Sequence, residues 1–121
     1  MLKNNQKEKV TDFVKFVKNE LGIKHVPTVV LTDNKKDIKT TANYDYGKEN
    51  KVMKVYCGNR MMVDIMRSIA HELTHHKQWE DGKLKVRPPD IGGPIEDEAN
   101  AKAGQLIKLF AKKIDSTIYD E

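Results

Sequence analysis

Residues 61–81 have the sequence MMVDIMRSIAHELTHHKQWED and predict one long helix in the middle of the chain. Apolar side chains fall on more than one side of this helix, at Val63, Ile65, Met66, Ile69, Ala70 and Leu73. A helix that is apolar over most of its circumference is usually buried. We therefore expect the rest of the domain to pack around it, with Gly82 as a suitable stop at its C-terminal end.

Toward the N-terminus, the pattern predicts one helix and three strands. Residues 7–21 carry apolar side chains at helical spacing, and Gly22 can end that helix. The β-branched run 28–32 is followed by Asp33 and Asn34, which is typical of a strand that ends in a turn. Residues 40–46 and 51–57 predict two more strands joined by a hairpin turn at 47–50, with 51–57 suited to the edge of a sheet.

Toward the C-terminus, the chain predicts a loop and then a last helix. Residues 83–93 contain two prolines and two glycines, and Pro94 suits the first turn of a helix that runs to about Ile114. The expected fold class is α+β, in a single minimal domain over residues 1–121. It would have an N-terminal helix, a small, mostly antiparallel three-stranded sheet, the central helix and the C-terminal helix.

Composition excludes several classes of protein. Charged residues make up 33% of the 121 residues and hydrophobic residues 38%, which is typical of a globular domain. No apolar run approaches the ~20 residues that span a bilayer, and the N-terminus lacks the apolar stretch of a signal peptide. The single cysteine excludes an internal disulfide, so we expect a cytoplasmic protein. The net charge of +4 is scattered, which favours a solvated surface over affinity for nucleic acid or another acidic partner.

The chemistry is concentrated in HELTH, residues 71–75, an HExxH motif on the central helix. His71 and His75 lie one helical turn apart on one face. Two imidazoles so placed can bind one zinc ion at ~2.0–2.1 Å. From the position after the first histidine, the carboxylate of Glu72 can reach a water on that metal and act as the general base.

Catalytic zinc usually takes a third protein ligand. The segment EDEAN, residues 96–100, lies at the start of the last helix and can supply it. Glu96 is the first candidate, because Asn100 shares its face and can orient a histidine ligand by a hydrogen bond. Glu98 is the alternative ligand. If neither binds metal, these acidic residues would favour the helix N-terminus electrostatically.

The pair HELTH and EDEAN resembles the gluzincin metallopeptidases, in which one helix carries HExxH and a later helix supplies a glutamate. The longer strings RSIAHELTHHKQ and GPIEDEANAKAG resemble small metallopeptidases encoded by bacteriophages. The resemblance covers roughly residues 40–112 and implies a minimal zincin-like fold. By position it makes His71, His75 and Glu96 the ligands of one zinc ion and Glu72 the general base. It makes Asn100 the residue that orients a histidine ligand by a hydrogen bond. Asn100 departs from the aspartate that many gluzincins have there.

Other residues leave alternatives open. His76 points about 100° away from His75 on an ideal helix, which suits a solvated residue or a neighbour of the substrate. Tyr56 and the other tyrosines of the predicted hairpin suit packing, although one of them could stabilise an oxyanion. Cys57 suits a buried thiol better than a metal ligand.

The function expected from these features is a zinc metallopeptidase that acts on a protein or peptide, in the host cytoplasm if the chain comes from a phage. An edge strand, with 52–57 as the candidate, could hold the substrate as an added strand. The alternative is a zinc-containing binding module without catalysis, with a protein or nucleic-acid partner. The sequence leaves the substrate and the oligomeric state open.

Overall fold

The computed structural model describes residues 2–34, 42–44, 52–84 and 93–120. Three helices carry most of the fold: α1 at Asn4–Leu21, α2 at Met62–Glu80 and α3 at Pro94–Lys113. A short 3-10 turn, Ser116–Asp120, follows α3 and was not expected from the sequence. The strands are β1 at Thr28–Thr32, β2 at Ala42–Tyr44 and β3 at Val52–Tyr56. The α+β class expected from the sequence is confirmed, while the turn expected at 47–50 lies outside the described residues.

Local sequence accounts for where the helices begin and end. Gly22 adopts φ 71°, and its N–H donates to the carbonyl of Lys18, so the left-handed residue ends α1. At the start of α3, Gly93 has φ 115° and Pro94 is the first helical residue. Proline suits that position because a helix leaves the N–H of its first residue without an intrahelical partner.

The sheet differs from the expectation of a mostly antiparallel arrangement. Its strand order is β1-β3-β2, in which β1 pairs with β3 in parallel and β2 pairs with β3 in antiparallel orientation. The expectation that 51–57 forms an edge strand was also wrong, because β3 lies between the other two. Side chains alternate along β3 and leave one face buried, with Met53 and Val55 fully buried and Lys54 exposed. Such alternation does not determine which strands pair with it.

Helix α2 is the centre of the core, as expected from its apolar circumference. Its buried apolar residues are Met62, Val63, Ile65, Met66, Ile69, Ala70 and Leu73. It packs most extensively against α3 and also contacts α1 and the sheet. Phe13 of α1 and Phe110 of α3 meet edge to face, with ring centroids 5.2 Å apart. The first turn of α3 lies beside the C-terminal half of α2, where Gln78 donates to the carbonyl of Ile95.

Over the ranges that the structure describes, no helix combines the length and the apolar character needed to cross a membrane.

Candidate metal centre

Three side chains from two helices converge at the α2–α3 interface. Nε2 of His75 lies 3.1 Å from Nε2 of His71 and 2.6 Å from Oε1 of Glu96. Nε2 of His71 lies 3.4 Å from Oε2 of Glu96. The helical spacing of α2 brings the two imidazoles together, and the packing of α3 adds the carboxylate from its first turn. The three residues form a group that can hold a metal ion.

The ligand atoms lie close enough together to share one metal ion. Tetrahedral bonds of ~2.0–2.1 Å place neighbouring ligand atoms about 3.3 Å apart. Two of the three separations, 3.1 and 3.4 Å, match this distance, whereas the 2.6 Å between His75 and Glu96 is shorter. In the part of the chain that the structure describes, no fourth His, Cys, Asp or Glu joins the group. The side chains of His71 and Glu96 are 22% and 20% exposed, whereas that of His75 is 2% exposed. The group is therefore partly open, which leaves room for a further ligand.

The surroundings of His71 favour the neutral imidazole that a metal requires. Burial lowers the pKa of His71, and the neighbouring His75 lowers it further, while Glu96 and Asn100 act in the opposite direction. Asn100 therefore lies close enough to His71 to influence its pKa.

Behind His75 lies Gln78, which the sequence analysis did not single out. Nδ1 of His75 is 2.7 Å from Oε1 of Gln78, whose side-chain amide also reaches two acceptors on α3. One of these acceptors is Glu98, the alternative ligand, which bonds to Gln78 and does not belong to the three-residue group. The spacing His75 to Gln78, three positions on one helix, is a signal that could have identified this contact.

A cleft of about 400 Å³ adjoins the group. The residues that line it are Ala42, Arg60, Asp64, Arg67, Ser68, His71 and Glu72. His71 belongs to both the cleft and the metal-binding group, and Glu72 lines the cleft without joining the group.

Two arginines and one strand shape the wall of the cleft. Arg60 donates to the backbone carbonyls of Tyr56 and Asp64 and to Oγ of Ser68, at 2.7–2.9 Å. Arg67 donates to Oδ1 of Asp64 at 2.9 Å. The strand at this wall is β2, through Ala42, and β2 lies at the edge of the sheet. The expected substrate strand 52–57 is central, so β2 is the edge that adjoins the site.

The remaining candidates lie apart from the metal-binding group. His76 is 1% exposed, and its Nε2–H donates to the backbone carbonyl of His25 at 2.6 Å. The hydroxyl of Tyr56 lies 2.6 Å from where a Cβ on Gly58 would be, so its ring covers the turn after β3. Cys57 is buried, with its thiol 3.4 Å from the carbonyl of Thr32, and burial raises the pKa of that thiol.

Comparison of this chain with protein-family models, with curated proteins and with solved structures finds no match. The case for a function therefore depends on the site itself.

Proposed function

We propose that this chain is a zinc-dependent peptidase. In this proposal His71, His75 and Glu96 bind one zinc ion, and Glu72 is the general base. The observation that carries the proposal is the junction of the three-residue group with the cleft, because His71 belongs to both and Glu72 lines the same cleft. The gluzincin-like order of the motifs along the chain supports the same conclusion.

The donor set favours zinc among the common metals. Two imidazole nitrogens and one carboxylate oxygen are a usual set for catalytic zinc, which keeps a fourth position for water or substrate. Magnesium and calcium prefer sites built from oxygen ligands. The partly open group, with its two histidines, fits zinc better than either of these ions.

The residues of the chain then take distinct roles. Zinc, when bound, supplies Lewis acidity that polarises the peptide carbonyl and lowers the pKa of water. Glu72 accepts the proton of the attacking water and passes it to the leaving amine. Asn100, which is near enough to His71 to influence its pKa, would orient the ring of that ligand. A peptide in the cleft can add to the sheet beside β2, with main-chain hydrogen bonds that tolerate many side chains.

The variant Glu72→Gln tests this proposal. We expect the wild-type protein with one zinc ion to cleave members of a peptide library. Removing the base should lower the rate at least 100-fold, the low end of what general-base catalysis contributes, and leave the zinc content unchanged. Cleavage is measured by mass spectrometry and zinc by atomic emission. Glu20→Gln is the matched control, because Glu20 is an exposed residue of α1 far along the chain from the motif.

Two results would count against the proposal. Unchanged turnover in Glu72→Gln would remove Glu72 from the mechanism. Stoichiometric zinc with no cleavage of any peptide would favour the alternative, a zinc-containing binding module without catalysis.

A further inference from the structure

Gln78 is a buried amide at the centre of a hydrogen-bond network between α2 and α3. The residue is 2% exposed. Its Nε2 donates to the backbone carbonyl of Ile95 at 3.1 Å and to Oε1 of Glu98 at 2.9 Å, while its Oε1 lies 2.7 Å from Nδ1 of His75. The network thus joins a histidine of α2 to the residues on both sides of Glu96.

The two acceptors on α3 decide which way the amide points. A carbonyl and a carboxylate oxygen can only accept, so the NH₂ group of Gln78 must face them. The amide oxygen is then the atom that faces His75, and Nδ1 of His75 must carry the hydrogen. The other nitrogen, Nε2, faces His71 and the carboxylate of Glu96, where it would present its lone pair to a metal ion.

We propose that Gln78 is a positioning residue that holds His75 in the Nδ1–H tautomer, and that Glu98 fixes the orientation of Gln78. The inference rests on the proposed metal site, because its consequence is that His75 presents Nε2 to the ion. The same amide binds the first turn of α3, so one side chain sets the placement of His75 and of the turn that carries Glu96. Loss of a group behind a ligating histidine typically weakens metal binding 10–100-fold.

The first test is whether Nδ1 of His75 carries a hydrogen in the zinc-free wild-type protein. We expect ¹⁵N chemical shifts to show that hydrogen, whether or not Nε2 also carries one toward Glu96. In Gln78→Met, which retains a long unbranched side chain but lacks the amide, we expect a hydrogen on Nε2 alone. The reason is that Oε1 of Glu96 lies 2.6 Å from Nε2 and is then the acceptor that remains. A wild-type ring without a hydrogen on Nδ1 would overturn the inference.

The second test is zinc affinity, measured by competition with a chromogenic chelator. Gln78→Met should bind zinc 10–100-fold more weakly than the wild type. In Glu98→Gln, the amide oxygen can still accept from Nε2 of Gln78, so this variant should bind zinc within a few fold of the wild type. Glu98→Met removes the acceptor and should bind zinc more weakly, whereas a purely packing role for Gln78 would leave the two variants alike.

The outcomes separate the two proposals. If the wild type binds zinc and Gln78→Met binds it equally well, the inference fails and the metal site stands. If the wild type takes up no zinc, the proposed function fails, and the tautomer in the zinc-free protein still decides the role of Gln78. If Gln78→Met does not fold, the hydrogen on Nδ1 of the wild type and the comparison of the two Glu98 variants decide it.

Discussion

At the scale of single residues, Glu80 connects the end of α2 to the segment between α1 and β1. Its carboxylate accepts from the backbone N–H groups of Lys24 and His25, both at 3.0 Å, and its side chain is 7% exposed. His76, one turn earlier, donates to the carbonyl of His25. Burial raises the pKa of Glu80, but the two backbone donors and the charges of His76 and Lys77 outweigh it, so the pKa is lowered.

We predict that Glu80→Gln lowers the free energy of unfolding at pH 7 by about 1.5–3 kcal/mol, the usual contribution of hydrogen bonds to a charged group. A carboxylate with a lowered folded pKa stabilises fully above its ordinary pKa of 4.5. That stabilisation is lost as the pH falls through the lower, folded value. The difference between wild type and variant should therefore shrink below about pH 4.

Urea unfolding of zinc-free protein at a series of pH values measures this difference without interference from metal release. Glu20→Gln, an exposed position on α1, controls for the change in net charge. A difference that stays constant from pH 7 to pH 3 would show that the carboxylate charge is not what stabilises this contact.

At the scale of secondary-structure elements, two glycines on helices have opposite expected effects. Gly22 ends α1 with φ 71°, a conformation that costs a residue with a Cβ roughly 1–2 kcal/mol. Gly104 lies inside α3, has no positive φ, and has no atom of the described residues within 4 Å of where its Cβ would be. Alanine in such a position stabilises a helix by roughly 0.5–1 kcal/mol relative to glycine.

We predict that Gly22→Ala lowers and Gly104→Ala raises the midpoint of thermal unfolding. The two variants make the same chemical change, so each is the control for the other. Differential scanning calorimetry measures both. Shifts of the same sign would mean that the end of α1, or the interior of α3, is not as described.

At the scale of the whole molecule, the metal-binding group lies across the most extensive helix contact, that between α2 and α3. A ligand that binds only the folded protein stabilises it by about 2.7 kcal/mol at 100 times its Kd. For a domain of this size, that corresponds to a rise of very roughly 10 °C in the unfolding midpoint.

We therefore predict that zinc raises, and a chelator lowers, the midpoint measured by calorimetry. His71→Ala should remove most of the zinc-dependent shift, because it leaves only two of the three ligands. Identical midpoints with zinc and with chelator, in the wild type, would contradict a resident metal at this interface.

The amino-acid sequence was sufficient to predict features that depend only on residues close together in the chain. The 3.6-residue period predicted α1, α2 and α3, and Gly22 and Pro94 marked one end of α1 and the start of α3. The spacing of His71 and His75 also needs only helical geometry, which places residues four apart on one face. For that reason the two histidines could be named before any tertiary contact was known, whereas Glu96 was a candidate because of its segment at the start of the last helix.

The tertiary structure decided what depends on partners distant in the chain. Alternation along 52–56 reports one buried face, but only the packed sheet shows β3 between a parallel and an antiparallel neighbour. The role of Gln78 depends on acceptors 17 and 20 residues away, so its own segment gave no sign of them. Likewise, only the packing of α3 on α2 could place Glu96 with the histidines and Glu98 with the amide. Periodicity specifies which face of a helix is buried, whereas the residue that meets that face depends on how separate elements pack.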